Sequence, residues 1–146
     1  MGRKVLAVVC ALVSAWGTIL IGKIIATDAG YLEPAGLEFM NRAQVSSYFS
    51  SQPIPVYVSL LTASIIGAFF GGFIVSNMSR RESPGLTLTM IVAGFLILGG
   101  LVNFFILLPG QPAWLVAATL LSYIPVTWIG HKFAYGAMHS HKQQAY

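Results

Sequence analysis

His131, Tyr135 and His139 stand at four-residue intervals, a spacing that gathers side chains on one face of a helix, and His139-Ser140-His141 completes the run. Two chemistries need such a face. Haem b in a helical bundle takes axial ligands, commonly His, deep among the helices, and a zinc-like site needs three or four ligands. No Cys or carboxylate joins these histidines, so they read as a solvated tail, with no metal and no cofactor expected. Cys10 is the single cysteine, which excludes a disulfide framework and paired-thiol redox chemistry. Val8 and Val9 precede it where lipidation would want a small residue, so it reads as a small hydrophobe. Lys23 is the one full charge inside an apolar run. Its stem can snorkel to the headgroups, and Asp28, further along the same helix, can pair with it. Asn103 stands among Phe104, Phe105 and Leu107 and is expected to bond to another helix, a bond worth about 0.6 kcal/mol in a membrane. Lys23, Asp28 and Asn103 are the candidate polar site. No residue is assigned a catalytic role.

The elements that must position these groups follow from hydropathy. Of the 146 residues 56% are hydrophobic and 8% charged, a balance that a water-soluble domain of this length cannot fold around. Apolar runs over 5–26, 56–76, 86–108 and 113–135 are each long enough to cross a hydrocarbon core of about 30 Å. Backbone groups in lipid must be satisfied within the segment, so the runs are helices and the chain is one all-α, four-transmembrane-helix bundle covering 1–146. The first run is longer than the apolar stretch of a signal peptide, and it is read as a retained helix despite a passable cleavage site at Val13-Ser14-Ala15. Pro109-Gly110-Gln111-Pro112 folds the last two helices into an antiparallel hairpin. Pro125 frees the carbonyl of Leu121, with Ser122 placed to relieve it.

Net charge +4 would suit nucleic acid if the basic residues formed a patch, but they sit at the ends of the apolar runs, so nucleic acid is excluded as a partner. Arg3, Lys4, Arg80, Arg81, Lys132 and Lys142 fall on one side, with Arg42 and Lys23 on the other. By the positive-inside rule both termini are cytoplasmic and the loop 27–55 is outside, in a bacterial inner membrane. Within that loop 37–49 is expected to form a short helix with a Glu38–Arg42 pair.

The clearest periodic feature is small residues every fourth position. Ser59, Ala63, Gly67 and Gly71 form one row of the second span, Ser64, Ala68, Gly72 and Ser76 the next, and Ser14, Thr18 and Gly22 a row of the first. Small side chains let backbones approach, which holds helices together where lipid removes the hydrophobic incentive. Ala63, Gly67, Ala68, Gly71, Gly72, Ser14, Thr18 and Gly22 are therefore the expected packing residues, within the chain or against a second chain.

Tyr31-Leu32-Glu33-Pro34-Ala35-Gly36-Leu37-Glu38, then Pro53 to Tyr57, then Gly67-Ala68-Phe69-Phe70-Gly71-Gly72, and Pro125 to Gly130 in the fourth span, resemble the pattern of uncharacterised small bacterial four-helix membrane proteins. That resemblance implies the architecture and no activity. Arg42-Ala43-Gln44-Val45 followed by Tyr48-Phe49 is similar to the Arg-Ala-Gln-Val-Asn region of the membrane-associated eicosanoid and glutathione transferases, also four-helix proteins. This second likeness would imply glutathione contacts at Arg42, Ser46 and Tyr48. The Asn and Glu of that pattern are missing, and Pro53 and Pro55 fall where its helix continues. The expectation is a small non-catalytic membrane protein, an accessory or structural subunit whose partners are lipids and other membrane subunits or copies of itself. A small-solute or ion transporter is the alternative, resting on Lys23, Asn103 and Pro125, with a glutathione-dependent transferase third.

Overall fold

A computed structural model describes residues 2–28, 41–79, 85–107 and 110–143. Its elements in chain order are α1 (Gly2–Asp28), α2 (Arg42–Ser50), α3 (Ile54–Met78), α4 (Gly85–Val102), a π-helical turn (Asn103–Leu107) that prolongs α4, and α5 (Ala113–Gln143). Four of these are long and apolar enough to cross a membrane, over Gly2–Gly22, Ile54–Met78, Leu86–Ile106 and Ala113–Gly136. The chain is a multi-pass, all-α membrane protein.

The third span differs from the continuous helix expected over 86–108: its last turn widens from α to π at Asn103. The fourth runs past 135, because the polar tail continues the same helix to Gln143. The short helix of the 27–55 loop starts later than expected, at Arg42, because Asn41 and Gln44 form a capping box. Asn41 Oδ1 accepts from the Gln44 N–H at 3.0 Å, and Gln44 Oε1 accepts from the Asn41 N–H at 2.9 Å. Two free donors of the first turn are thereby satisfied. Residues 29–40, with Glu38, lie outside the described residues.

α3 is the centre of the bundle. It packs along α1 on one side and α5 on another, and touches α4, while α5 also packs on α4 and α1 meets α4 only lightly. Its two rows of small residues serve two neighbours. A methyl placed on Gly67 would stand 2.7 Å from the Ala15 carbonyl oxygen, and one on Gly22 would strike Ala63 Cβ, so that row faces α1. A methyl on Gly72 would run into the Thr127 carbonyl, and Gly130 lies against the Phe69 carbonyl, so the other row faces α5. Close backbone approach thus marks both interfaces, and between α3 and α5 the Phe69 and Phe133 rings also pack edge to face, 5.6 Å apart. Gly71 is roomier: its neighbours would be Val92 Cγ1 at 3.3 Å and Ala15 Cβ at 3.5 Å.

On α1 the surface turned to α3 is mainly Ala7, Ala11 and Ala15, each fully buried. This row has the same four-residue spacing as Ser14, Thr18 and Gly22, yet Ser14 and Thr18 are only half-buried, with Thr18 Oγ1 donating to the Ser14 carbonyl at 2.8 Å. In a sequence alanine also counts as ordinary apolar filling, which masks the row. Several other hydroxyls in the spans also bond on their own helix, as in Ser64 Oγ to the Leu60 carbonyl and Thr62 Oγ1 to the Val58 carbonyl. That local bond lets a polar residue sit in lipid without a partner helix. Ser122 donates to Thr119 O at 2.8 Å and not to the carbonyl freed by Pro125, because its side chain reaches back to the i−3 position.

Candidate functional site

The two ends of the bundle carry different polar features. At the end that bears α2, a cleft of about 80 Å³ lies among Trp16 and Leu20 of α1, Ser64 of α3, Gly99 and Asn103 of α4 and its π turn, and Tyr123 of α5. Two glycines shape it. A methyl on Gly99 would meet Trp16 Cζ2 at 3.0 Å, and one on Gly100 would meet Leu120 Cδ2 at 2.9 Å and the Tyr123 ring at 3.2 Å. The indole of Trp16 therefore lies close over α4 at a position that has no side chain. Tyr123 is buried and its hydroxyl pairs with Ser64. Asn103, half-buried, opens the π turn and lines the cleft. Among the described residues no protein group pairs with its amide.

α2 is fastened beside this cleft. Arg42 Nη2 donates to the Phe105 carbonyl at 2.9 Å, one of the carbonyls that the end of α4 leaves without an intrahelical partner. A cation there also complements the negative end of the helix dipole. The Tyr57 hydroxyl donates to the Phe49 carbonyl, and Val45 and Phe49 are buried. Gly110, at φ 94°, brings its turn against the backbone of Ser46, where a side chain would collide. Arg42→Met should lower the melting temperature in detergent by several degrees, an effect of about 1 kcal/mol, whereas Arg42→Lys should keep about half of it. An unchanged melting temperature for Arg42→Met would show that the bond holds nothing.

At the opposite end Ser76 Oγ lies 2.6 Å and Thr89 Oγ1 3.3 Å from His131 Nδ1, with the two hydroxyls 3.3 Å apart. Ser76 and Thr89 are fully buried. The Tyr135 ring tilts against His131 at 4.8 Å. His131 is thus drawn into the bundle, and not set in a solvated tail with His139 and His141, whose side chains lie outside the described ones. It ends a row on α5, Thr119, Tyr123, Thr127 and His131, the first three buried. Their regular four-residue spacing is legible in the sequence, but the His-Tyr-His run of the tail competes with it for His131. Lys132, next to it, points the other way, its ammonium 3.9 Å from the centre of the Trp128 ring.

Of the three candidate polar residues, only the side chain of Asn103, which lines the cleft, is among the described ones; those of Lys23 and Asp28 lie outside them. Among the described residues no three His, Cys, Asp or Glu side chains converge. Comparison with protein-family models, characterised proteins and solved structures finds no match. The class defined by the fold is therefore that of a four-span helical membrane bundle.

Proposed function

We propose that this protein acts without catalysis, as an accessory or structural subunit of a larger assembly in a bacterial inner membrane. The supporting observation is the surface of α1. It turns alanines to α3 and leaves Leu6, Val9, Val13, Trp16 and Leu20 about half exposed or more. These five follow the alternating three- and four-residue step of a helix-pairing seam. Both small-residue rows of α3 are occupied within the chain, so a partner would meet the seam on α1 and not those rows. The test is purification in mild detergent from the native membrane. A stoichiometric partner, or a dimer, should be lost on combining Val9→Ala, Val13→Ala and Leu20→Ala. A wild-type chain that elutes alone at 15.7 kDa plus detergent would end this reading.

A small-solute or ion carrier is the second reading, favoured by the polar row of α5. Against it, Val92 and Leu96 are buried on α4 between the levels of Thr89 and Asn103. A glutathione-dependent transferase is the third. Arg42, which it would need, is engaged at Phe105 O, and thiolate formation needs several donors around the sulfur. We expect no glutathione turnover.

In the proposed orientation α2 is outside. With Cys10 replaced by Ala, Ser50→Cys should react with an impermeant maleimide from the periplasm and Gly2→Cys only after lysis. Both positions are exposed, whereas Ser46 is packed on Gly110 and would report poorly. Labelling of both from the same side would refute the topology.

A further inference from the structure

Two polar groups in the α1–α4 cleft have no partner among the described residues: the carboxamide of Asn103 and the indole N–H of Trp16. In water this would be unremarkable. Here the surrounding surface of α4 is Leu98, Val102 and Ile106, all exposed and apolar, so it faces hydrocarbon. An amide left unbonded in such surroundings costs several kcal/mol. The cleft also has an apolar floor, Ile19, Leu96 and Phe104. Its volume limits the guest: an apolar cavity of about 150 Å³ takes benzene, so about 80 Å³ takes the polar end of a chain and not a whole solute. The half-exposed Trp16 and Leu20 in its lining place the opening beside α1. Asn103 stands three residues before the end of its span at Ile106, the depth at which the headgroups of a leaflet give way to acyl chains.

We propose that this cleft is a lipid site: it takes the ester carbonyl of a phospholipid, which accepts a hydrogen bond from the Asn103 carboxamide while the adjoining methylenes lie on Leu20, Leu96 and Phe104. A carbonyl is the acceptor that bilayer lipids present at this depth. The π turn has a part in this. Widening the helix at residue 103 sets Asn103 off the α register of the preceding turns, and the carbonyl exposed beyond it is met by Arg42. Arg42 commits only one of its donors to Phe105 O, leaving others at the level of the lipid phosphate, which favours a phospholipid over a free ester.

The experiment compares two phospholipids of equal chain length and headgroup, one ester-linked and one ether-linked, the latter having no carbonyl. Wild type and Asn103→Leu, both purified with delipidating detergent and reloaded, are assayed for lipid retained per chain by native mass spectrometry. Wild type should hold one ester lipid about threefold more tightly than the ether lipid. Asn103→Leu should level the two, because it removes the donor and keeps the fold. Equal retention of both lipids by wild type, or an ester preference that survives Asn103→Leu, would overturn the site. A long-chain methyl ester that displaces the phospholipid at equimolar concentration would overturn the assignment to phospholipid.

Discussion

Replacing Gly72 with alanine is expected to strip the folded protein from the membrane, while Gly71→Ala, one residue away, is expected to leave it. The added methyl of Gly72→Ala meets the carbonyl oxygen, carbon and Cα of Thr127, all backbone, so α3 and α5 must separate along their length. Overpacking of this kind costs roughly 3 kcal/mol, and the other contacts between α3 and α5, Ser76 with His131 and Phe69 with Phe133, depend on the same close approach. At Gly71 the same methyl meets Val92 and Ala15 side chains near ordinary contact distance. The pair is read by membrane yield and by melting temperature in detergent. Loss of both variants, or survival of Gly72→Ala with wild-type melting, would contradict the packing described. Gly130→Ala should behave like Gly72→Ala, since it meets the Phe69 carbonyl from the other side.

The second large effect is expected at His131. Its ring nitrogen serves both Ser76 and Thr89, which are wholly buried. His131→Ala would remove the ring and withdraw a partner from both hydroxyls, at an expected cost of about 1.5 kcal/mol, near the upper end for interhelical bonds in membranes. Removing the whole cluster is different. In Ser76→Ala, Thr89→Val, His131→Leu none of the three groups of the cluster is left facing a lost partner, and stability should return to within about 0.5 kcal/mol of wild type. Thermal unfolding in detergent measures both. A triple variant less stable than His131→Ala would show that the cluster contributes more than mutual satisfaction.

The four spans are legible in the sequence because hydropathy and length act over about twenty residues and tolerate local exceptions. So are the small residues of α3, since glycine at four-residue spacing in an apolar helix serves close packing and little else. The neighbour of each row is not legible: rows 63/67/71 and 64/68/72 differ by one position, and only the assembled bundle gives the first to α1 and the second to α5. The π turn at Asn103 is hidden for a similar reason. Nothing local in Asn-Phe-Phe-Ile-Leu demands it, and part of what accompanies it is a distant arginine. His131 reads as a tail residue beside its sequence neighbours, whereas its partners are 55 and 42 positions away. The capping box at Asn41 and Gln44 is a local signal, yet the Glu38–Arg42 spacing points to an earlier helix start and obscures it.

The pairing of α3 with α5, across the intervening α4, also governs how the chain must be made. Spans leave the ribosome in order, so when α4 has emerged α3 has only α1 and α4 beside it, and the backbone groove at Gly72 has no occupant. Lipid tails cannot fill a groove shaped for the backbone of Thr127. Every newborn molecule therefore passes through a stage with a backbone-lined gap in its central helix. Only the arrival of the last span closes that gap, and a chain truncated before Ala113 would keep it open to any passing helix or to quality-control proteases.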